Sequence, residues 1–255
     1  MSSNTLAGRI IVVTGAARGL GRAFAESCAR EGAEAVVVAD IETELGEATA
    51  RDMRADGFNV EFIRYDQGDP ASIETFAATV AAKFGRIDGL INNAAIATGI
   101  GGKLYDEIDI ATWDRVMAVN IRGPWLVTRA FAPLLKKSTR GGRIVNVASD
   151  TALWGAPRLL HYVASKGAII SMTRSLSREL GADAITVNAI APGLTLVEAT
   201  EYVPRERHEL YVNGRSIQRA QTPDDVVGPV MHLLGDGAGF VTGQVIPING
   251  GFVFN

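Results

Sequence analysis

Tyr162 and Lys166 stand four residues apart in the run His161-Tyr162-Val163-Ala164-Ser165-Lys166. On a helix that spacing puts both side chains on one face, a turn apart. An ammonium beside a phenol favours the phenolate by Coulomb attraction, and draws a phenol pKa of about 10 toward neutrality. The result is a general base able to take a proton from an alcohol. A solvated helix face can carry the same pair by chance, so its company matters. Ser149 ends the run Gly142-Arg143-Ile144-Val145-Asn146-Val147-Ala148 and stands 13 residues before Tyr162, so the two hydroxyls can share one substrate oxygen. Asn120, in Val119-Asn120-Ile121, is an amide inside an otherwise apolar helix. A buried amide needs partners, and a bound water leading to Lys166 would supply one.

These residues need a frame. Arg9-Ile10-Ile11-Val12-Val13 is an apolar run of buried-strand length, followed by Thr14-Gly15-Ala16-Ala17-Arg18-Gly19-Leu20-Gly21 and a helical stretch from about Arg22. Strand, glycine turn and helix in that order make a dinucleotide site. Small residues let the backbone approach a pyrophosphate, and the helix N-terminus supplies free N–H groups. Asp40 ends the second apolar run, Ala35-Val36-Val37-Val38-Ala39, 19 residues past Gly21. A carboxylate there accepts from both ribose hydroxyls and repels a 2′-phosphate. Neither Ala39 nor Ile41 is basic, although Arg18 is available to a phosphate. The balance favours NAD over NADP.

Strand-like runs alternate with helical patterns along the whole chain, as in parallel βαβ units. Strands read at about 10–14, 34–39, 59–65, 87–92, 142–148, 184–190 and 244–248, with helix starts at Asp69-Pro70 and Thr222-Pro223-Asp224-Asp225. The reading is one doubly wound α/β domain over 1–255, with helices on both faces of a parallel sheet. Residues 194–216 break the alternation with charge, a proline and Tyr202 and Tyr211, and are read as a lid over a substrate. Leu90-Ile91-Asn92-Asn93-Ala94-Ala95 offers small residues and amides for a cofactor to pass closely. Pro192-Gly193 closes the sixth strand. Formal net charge is −3 and 47% of residues are hydrophobic, which gives no sign of nucleic-acid or anionic-membrane binding. The single Cys28 excludes an internal disulfide and fits a reducing compartment. Its helical, core-facing position argues against a reactive thiol. Met1-Ser2-Ser3-Asn4-Thr5-Leu6 lacks a signal-peptide pattern, and no apolar run has bilayer length. The expectation is a cytoplasmic protein without a metal, since the histidines 161, 208 and 232 are scattered; His161 reads as structural.

Together these residues resemble the classical branch of the short-chain dehydrogenase/reductase family. The resemblance rests on Thr14 to Gly21, on Asn92 to Ala94, on Asn120, Ser149, Tyr162 and Lys166, and on Pro192-Gly193, in order from about residue 7 to the C-terminus. It implies a Rossmann-type sheet of seven parallel strands, usually a homotetramer, and hydride exchange between nicotinamide C4 and a carbinol carbon. By the same resemblance Tyr162 is the acid/base and Ser149 orients the substrate oxygen. Lys166 holds the nicotinamide ribose and lowers the Tyr162 pKa, while Asn120 fixes a relay water. Gly15, Arg18, Gly19, Leu20, Gly21, Asp40, Ile41, Asn93, Ala94, Ala95, Pro192, Gly193 and Thr195 would line the cofactor, with Asp66 and Gln67 by the adenine.

Three positions depart from the pattern. Ala95 replaces a glycine, adding a methyl group beside the cofactor. Val197 replaces a threonine, leaving Thr195 to meet the carboxamide mainly through its backbone. Asp150 follows Ser149, where small neutral residues are usual; facing the pocket, it would favour a substrate with donor groups. Ile96, Thr151, Trp154, Leu159, Leu194 and Tyr202 are the expected pocket walls. They suit a cyclic or aryl-bearing secondary alcohol or its ketone, with Arg205, Arg207 and His208 leaving room for an anion. The alternatives are an NADPH-dependent 3-oxoacyl reductase and, from another class, a non-catalytic NAD-binding module. The apolar tail Ile246–Phe254 fits either a subunit interface or packing within its own subunit.

Overall fold

The computed structural model describes residues 5–254; the reading of Met1–Asn4 as lacking a leader lies outside them. Seven strands form one parallel sheet: β1 (Ile10–Thr14), β2 (Ala35–Asp40), β3 (Val60–Arg64), β4 (Gly89–Asn92), β5 (Arg143–Val147), β6 (Thr186–Pro192) and β7 (Val245–Ile248). Their order is β3-β2-β1-β4-β5-β6-β7, so the winding reverses between β1 and β4. A ligand crevice opens at the strand carboxyl ends where such a reversal occurs. All seven expected strands are present. The main shift is β6, which begins at Thr186 because Ala184 takes a left-handed φ of 56° before it, and which runs on through Pro192.

The apolar runs are continuous because both sheet faces are covered. Ile11 and Val13 point into one core layer with Phe24 and Cys28 of α1 (Gly19–Arg30), Met53 of α2 (Thr43–Ala55) and Val230 and Leu234 of α9 (Asp224–Leu234). Ile10 and Val12 point into the other, with Phe76 of α3 (Pro70–Phe84) and Val127 and Phe131 of α5 (Gly123–Leu135). Strand alternation explains that division. Burial raises the Cys28 thiol pKa, consistent with an unreactive core residue. α3 starts as read, with Asp69 accepting from the Ala71 N–H and Pro70 in the first turn.

Two features escaped the sequence. Between α4 (Ile110–Met117) and α5 the chain forms a π-turn, Ala118–Arg122, containing Asn120. The segment at 194–216, irregular by its sequence pattern, contains a short 3₁₀ turn, Glu198–Thr200, and a ten-residue helix, α8 (Arg205–Gly214). Among the described residues no helix is long and apolar enough to cross a membrane.

Candidate active site

A cavity of about 800 Å³ runs along the carboxyl ends of the strands, from the glycine turn to Tyr162 and the segment after β6. Its first part is shaped by glycines. Gly15 (φ 64°) and Gly19 (φ 59°) are left-handed. A Cβ on Gly15 would fall 2.7 Å from Ala94 Cα, and one on Gly21 would fall 2.0 Å from the Gly15 carbonyl oxygen. The turn is therefore pressed against the strand beside it, and the N-terminus of α1 opens into the cavity. Asn93 clamps this arrangement: its Nδ2 donates to the carbonyls of Thr14 (3.0 Å) and Gly15 (2.9 Å). Thr14 Oγ1 in turn accepts from the Asn93 and Ala94 N–H groups. Asn92 faces the core and donates to Thr128 Oγ1 and Asn146 Oδ1. Asp40 ends β2 at the cavity wall, its Oδ2 accepting from Ala17 N–H and its Oδ1 from Glu42 N–H, each at 3.0 Å.

The sequence places Gln67 beside adenine. It lines the cavity, but its side chain is fully employed. Nε2 donates to the carbonyls of Ala94 (2.7 Å) and Val119 (2.9 Å), and Oε1 accepts from Tyr65 (2.8 Å). Gln67 thus ties β3, β4 and the π-turn together. Asn120 also differs from expectation. It is buried, and it pairs with the Ile96 backbone in both directions (Oδ1 from N–H, 2.7 Å; Nδ2 to carbonyl, 3.0 Å) and with Ser165 Oγ (3.2 Å). The partners of the buried amide are thus protein groups, and Asn120 is not among the residues that line the cavity.

Ser149, Tyr162 and Lys166 do come together at the cavity wall. Ser149 lies just past β5, where the backbone is pinned to β6 by Ala148 N–H to the Ile190 carbonyl (2.8 Å) and Asp150 N–H to the Pro192 carbonyl (3.0 Å). Its hydroxyl accepts from Thr151 Oγ1 (2.9 Å) at the start of a single-turn helix, α6 (Thr151–Trp154). Tyr162 and Lys166 occupy the first two turns of α7 (Leu160–Leu180), with Nζ 5.6 Å from the phenol ring centre. The expected lowering of the Tyr162 pKa is not found. Burial pushes the phenol up to about 12, partly offset by the Ser149 hydroxyl. Burial also brings Lys166 down to about 8, and its ammonium donates to the Val147 carbonyl at 2.7 Å. Desolvation disfavours the charged form of each group, and it is the largest cause of both shifts.

Asp150 is wholly buried and lines the cavity beside Ser149. Oδ1 accepts from the Tyr211 hydroxyl of α8 at 2.8 Å, while Oδ2 has no hydrogen-bond partner among the described residues. Burial raises the carboxyl to about 7. Tyr211 also accepts from Trp154 Nε1 (3.3 Å) and stacks on Phe252 at 4.4 Å. Sequence reasoning marks Asp150 as a departure but has no signal for this pairing across 61 residues.

Of the expected substrate walls, Ile96, Thr151, Leu159, Leu194 and Tyr202 line the cavity. Trp154 does not; it stands behind, against Tyr211 and Phe252. Tyr202 donates to the Ala97 carbonyl at 2.6 Å, bridging the segment after β6 to the loop after β4. Thr195 is buried, its hydroxyl donating to the Gly193 carbonyl (3.1 Å), and Val197 approaches Gly19. His161 is buried, which lowers its pKa and fits the structural reading.

Comparison with known proteins agrees with this geometry. A family model described as enoyl-(acyl carrier protein) reductase matches residues 15–253. A 3-oxoacyl-(acyl-carrier-protein) reductase of Thermotoga maritima is 35% identical, covering 97% of this chain and 99% of the relative. The (2S)-[(R)-hydroxy(phenyl)methyl]succinyl-CoA dehydrogenase subunit of Thauera aromatica is also 35% identical, covering 95% and 96%. Among solved structures, a protein from Beutenbergia cavernae assigned as an NAD(P)-dependent gluconate 5-dehydrogenase superposes with a TM-score of 0.91 at 34% identity, covering 98% of each chain. The chain belongs to the short-chain dehydrogenase/reductase family of NAD(P)-dependent oxidoreductases acting on hydroxyl and keto groups.

Proposed function

We propose that this protein is an NAD-dependent dehydrogenase of secondary alcohols, cyclic or aryl-bearing, with Tyr162 as general acid/base. The observation carrying the reading is the meeting of Ser149, Tyr162 and Lys166 at one end of a cavity whose other end is the glycine turn and Asp40. The dinucleotide fits the cradle on physical grounds: the left-handed Gly15 and Gly19 fold the turn so that the N-terminus of α1 lies at the cavity wall, where its first N–H groups can meet a pyrophosphate. When bound it supplies the hydride acceptor or donor. Gly15 to Gly21, Asp40, Asp66, Asn93 to Ala95 and Pro192 to Thr195 would hold it.

The protein's own groups handle the proton. Ser149 Oγ fixes the substrate oxygen, and Tyr162 takes the carbinol proton during oxidation or returns it during reduction. Lys166 keeps positive charge near the phenol and offers N–H donors to a ribose. Because burial holds Tyr162 high, at about 12, oxidation should quicken with alkalinity. Asn120 acts by holding Ile96 and Ser165 in place. The 194–216 segment serves as the substrate lid, and assembly as a homotetramer completes the reading.

NAD preference rests on Asp40, which would face a 2′-phosphate with a carboxylate. An NADPH-dependent 3-oxoacyl reductase is the second reading, favoured by the Thermotoga relative's name and by Arg18 at the cavity wall. The Thauera relative's name, a phenyl-bearing secondary alcohol, supports the first.

The test is nicotinamide reduction with NAD and NADP across aryl carbinols, cyclic alcohols, sugars and 3-hydroxyacyl thioesters. Tyr162→Phe should lose about 10²–10⁴-fold in kcat while binding nucleotide normally. Turnover confined to NADP and the thioester would establish the second reading instead. Nucleotide binding with no Tyr162-dependent turnover of any alcohol would point to the binding module.

A further inference from the structure

Among the described residues four cations line the cavity: Arg18, Arg115, Lys166 and Arg207. Arg18 belongs to the glycine turn, Arg115 to α4, and Lys166 to the pair with Tyr162. Arg207 alone comes from the segment after β6, and it shares the cavity with Tyr202 and Tyr211. It is half-buried, and it makes no ion pair among the described residues. Its neighbour Arg205, by contrast, is paired with Glu209 at 2.7 Å. Arg207 lies over the Trp154 ring at 5.6 Å and donates from Nη2 to the Pro157 carbonyl at 3.3 Å. The ring holds the guanidinium from behind, and most of its five donors are left over, arranged as a fork that matches a carboxylate.

Its position is registered to the chemistry. Arg207 and Tyr211 are at i and i+4 on α8 and so share one helix face. Tyr211 is bonded to Asp150, the residue next to Ser149. The fork is thereby tied, through Tyr211 and Asp150, to the strand end that carries Ser149.

The geometry points to a substrate that bears a carboxylate, bound by Arg207 against Trp154 while its carbinol lies between Ser149 and Tyr162. This deepens the dehydrogenase reading and rests on it. It also reconciles mostly apolar walls with a charged lid: a hydroxy acid carrying a ring or chain presents both kinds of surface.

Two matched pairs test it. 3-Hydroxy-3-phenylpropionate and its carboxamide are compared by kcat/KM, and the inert 3-phenylpropionate and its amide are compared by calorimetric binding to the enzyme–nucleotide complex. The acid should be preferred at least tenfold in both. Arg207→Gln should collapse that preference at least tenfold, and Arg207→Lys should restore part of it. Equal handling of acid and amide by the natural protein, or a preference that survives Arg207→Gln, would overturn the assignment. Arg207-dependent binding of the acid without turnover of either alcohol would uphold it and remove the dehydrogenase reading instead.

Discussion

Asp150 sits beside Ser149 without solvent exposure, and its physics is unusual. An aspartate with no solvent exposure keeps its proton to about pH 7, whereas the unfolded chain releases it near pH 4. Between those values the folded state binds the extra proton, so its stability falls as pH rises through the window. A carboxamide in its place has no proton to lose. Asp150→Asn should therefore gain on the natural protein as pH climbs from 5 to 8, by on the order of 1–3 kcal/mol. Thermal unfolding at both pH values measures the gap, and a constant difference would show that the carboxyl does not titrate in this range. Tyr162, Lys166 and Ser149 are legible in the sequence because their types and spacing are local. Their ionisation is not, because burial is a property of the completed fold and reverses the sign that the isolated pair suggests.

At the scale of elements, the π-turn Ala118–Arg122 shows what periodicity conceals. The extra residue lets the Gly123 N–H reach the Ala118 carbonyl, five residues back. The Val119 carbonyl accepts from Gln67. Gly123 must be small here, since a Cβ would come within 2.4 Å of Gln67 Cγ. Gly123→Ala should cost about 1–3 kcal/mol by overpacking, read in urea unfolding. It should also weaken nucleotide binding, because Gln67 braces Ala94 in the cavity wall. An apolar helix with one amide looks regular in sequence, and its irregularity appears only in the pairing with Ile96, 24 residues earlier. The α8 helix escapes sequence reading for a related reason: its residues are mostly polar and exposed, and Tyr211 is the buried one. Without an apolar stripe, a helix leaves no period to read.

For the whole molecule, the sheet concentrates chemistry at one edge and charge at the other. Below the strands, the fully buried Arg9 and the more exposed Arg140 converge on Asp236, with Arg143 close by. This junction joins the start of β1 to the loop before β5 and the turn after α9. Asp236→Asn would leave the Arg9 guanidinium buried without a counter-charge, and should lower stability by about 1–3 kcal/mol, with little effect on KM because the cavity lies at the opposite edge. Equilibrium unfolding and steady-state kinetics on the same preparation would check both halves. The seven strands and their parallel winding are readable from apolar runs and glycine turns, whereas contacts between distant segments are not. The tail illustrates this: Phe252 packs on Tyr211 of its own chain, while Phe254 stays exposed. That packing has an optical consequence. Of the three tryptophans, Trp154 alone among the ring contacts sits edge-on to both Tyr211 and Phe252, with Arg207 over its face. Any displacement of α8 or of the tail would alter the polarity and quenching around that indole, so the intrinsic fluorescence of Trp154 is a built-in gauge of how α8 sits against the C-terminal segment.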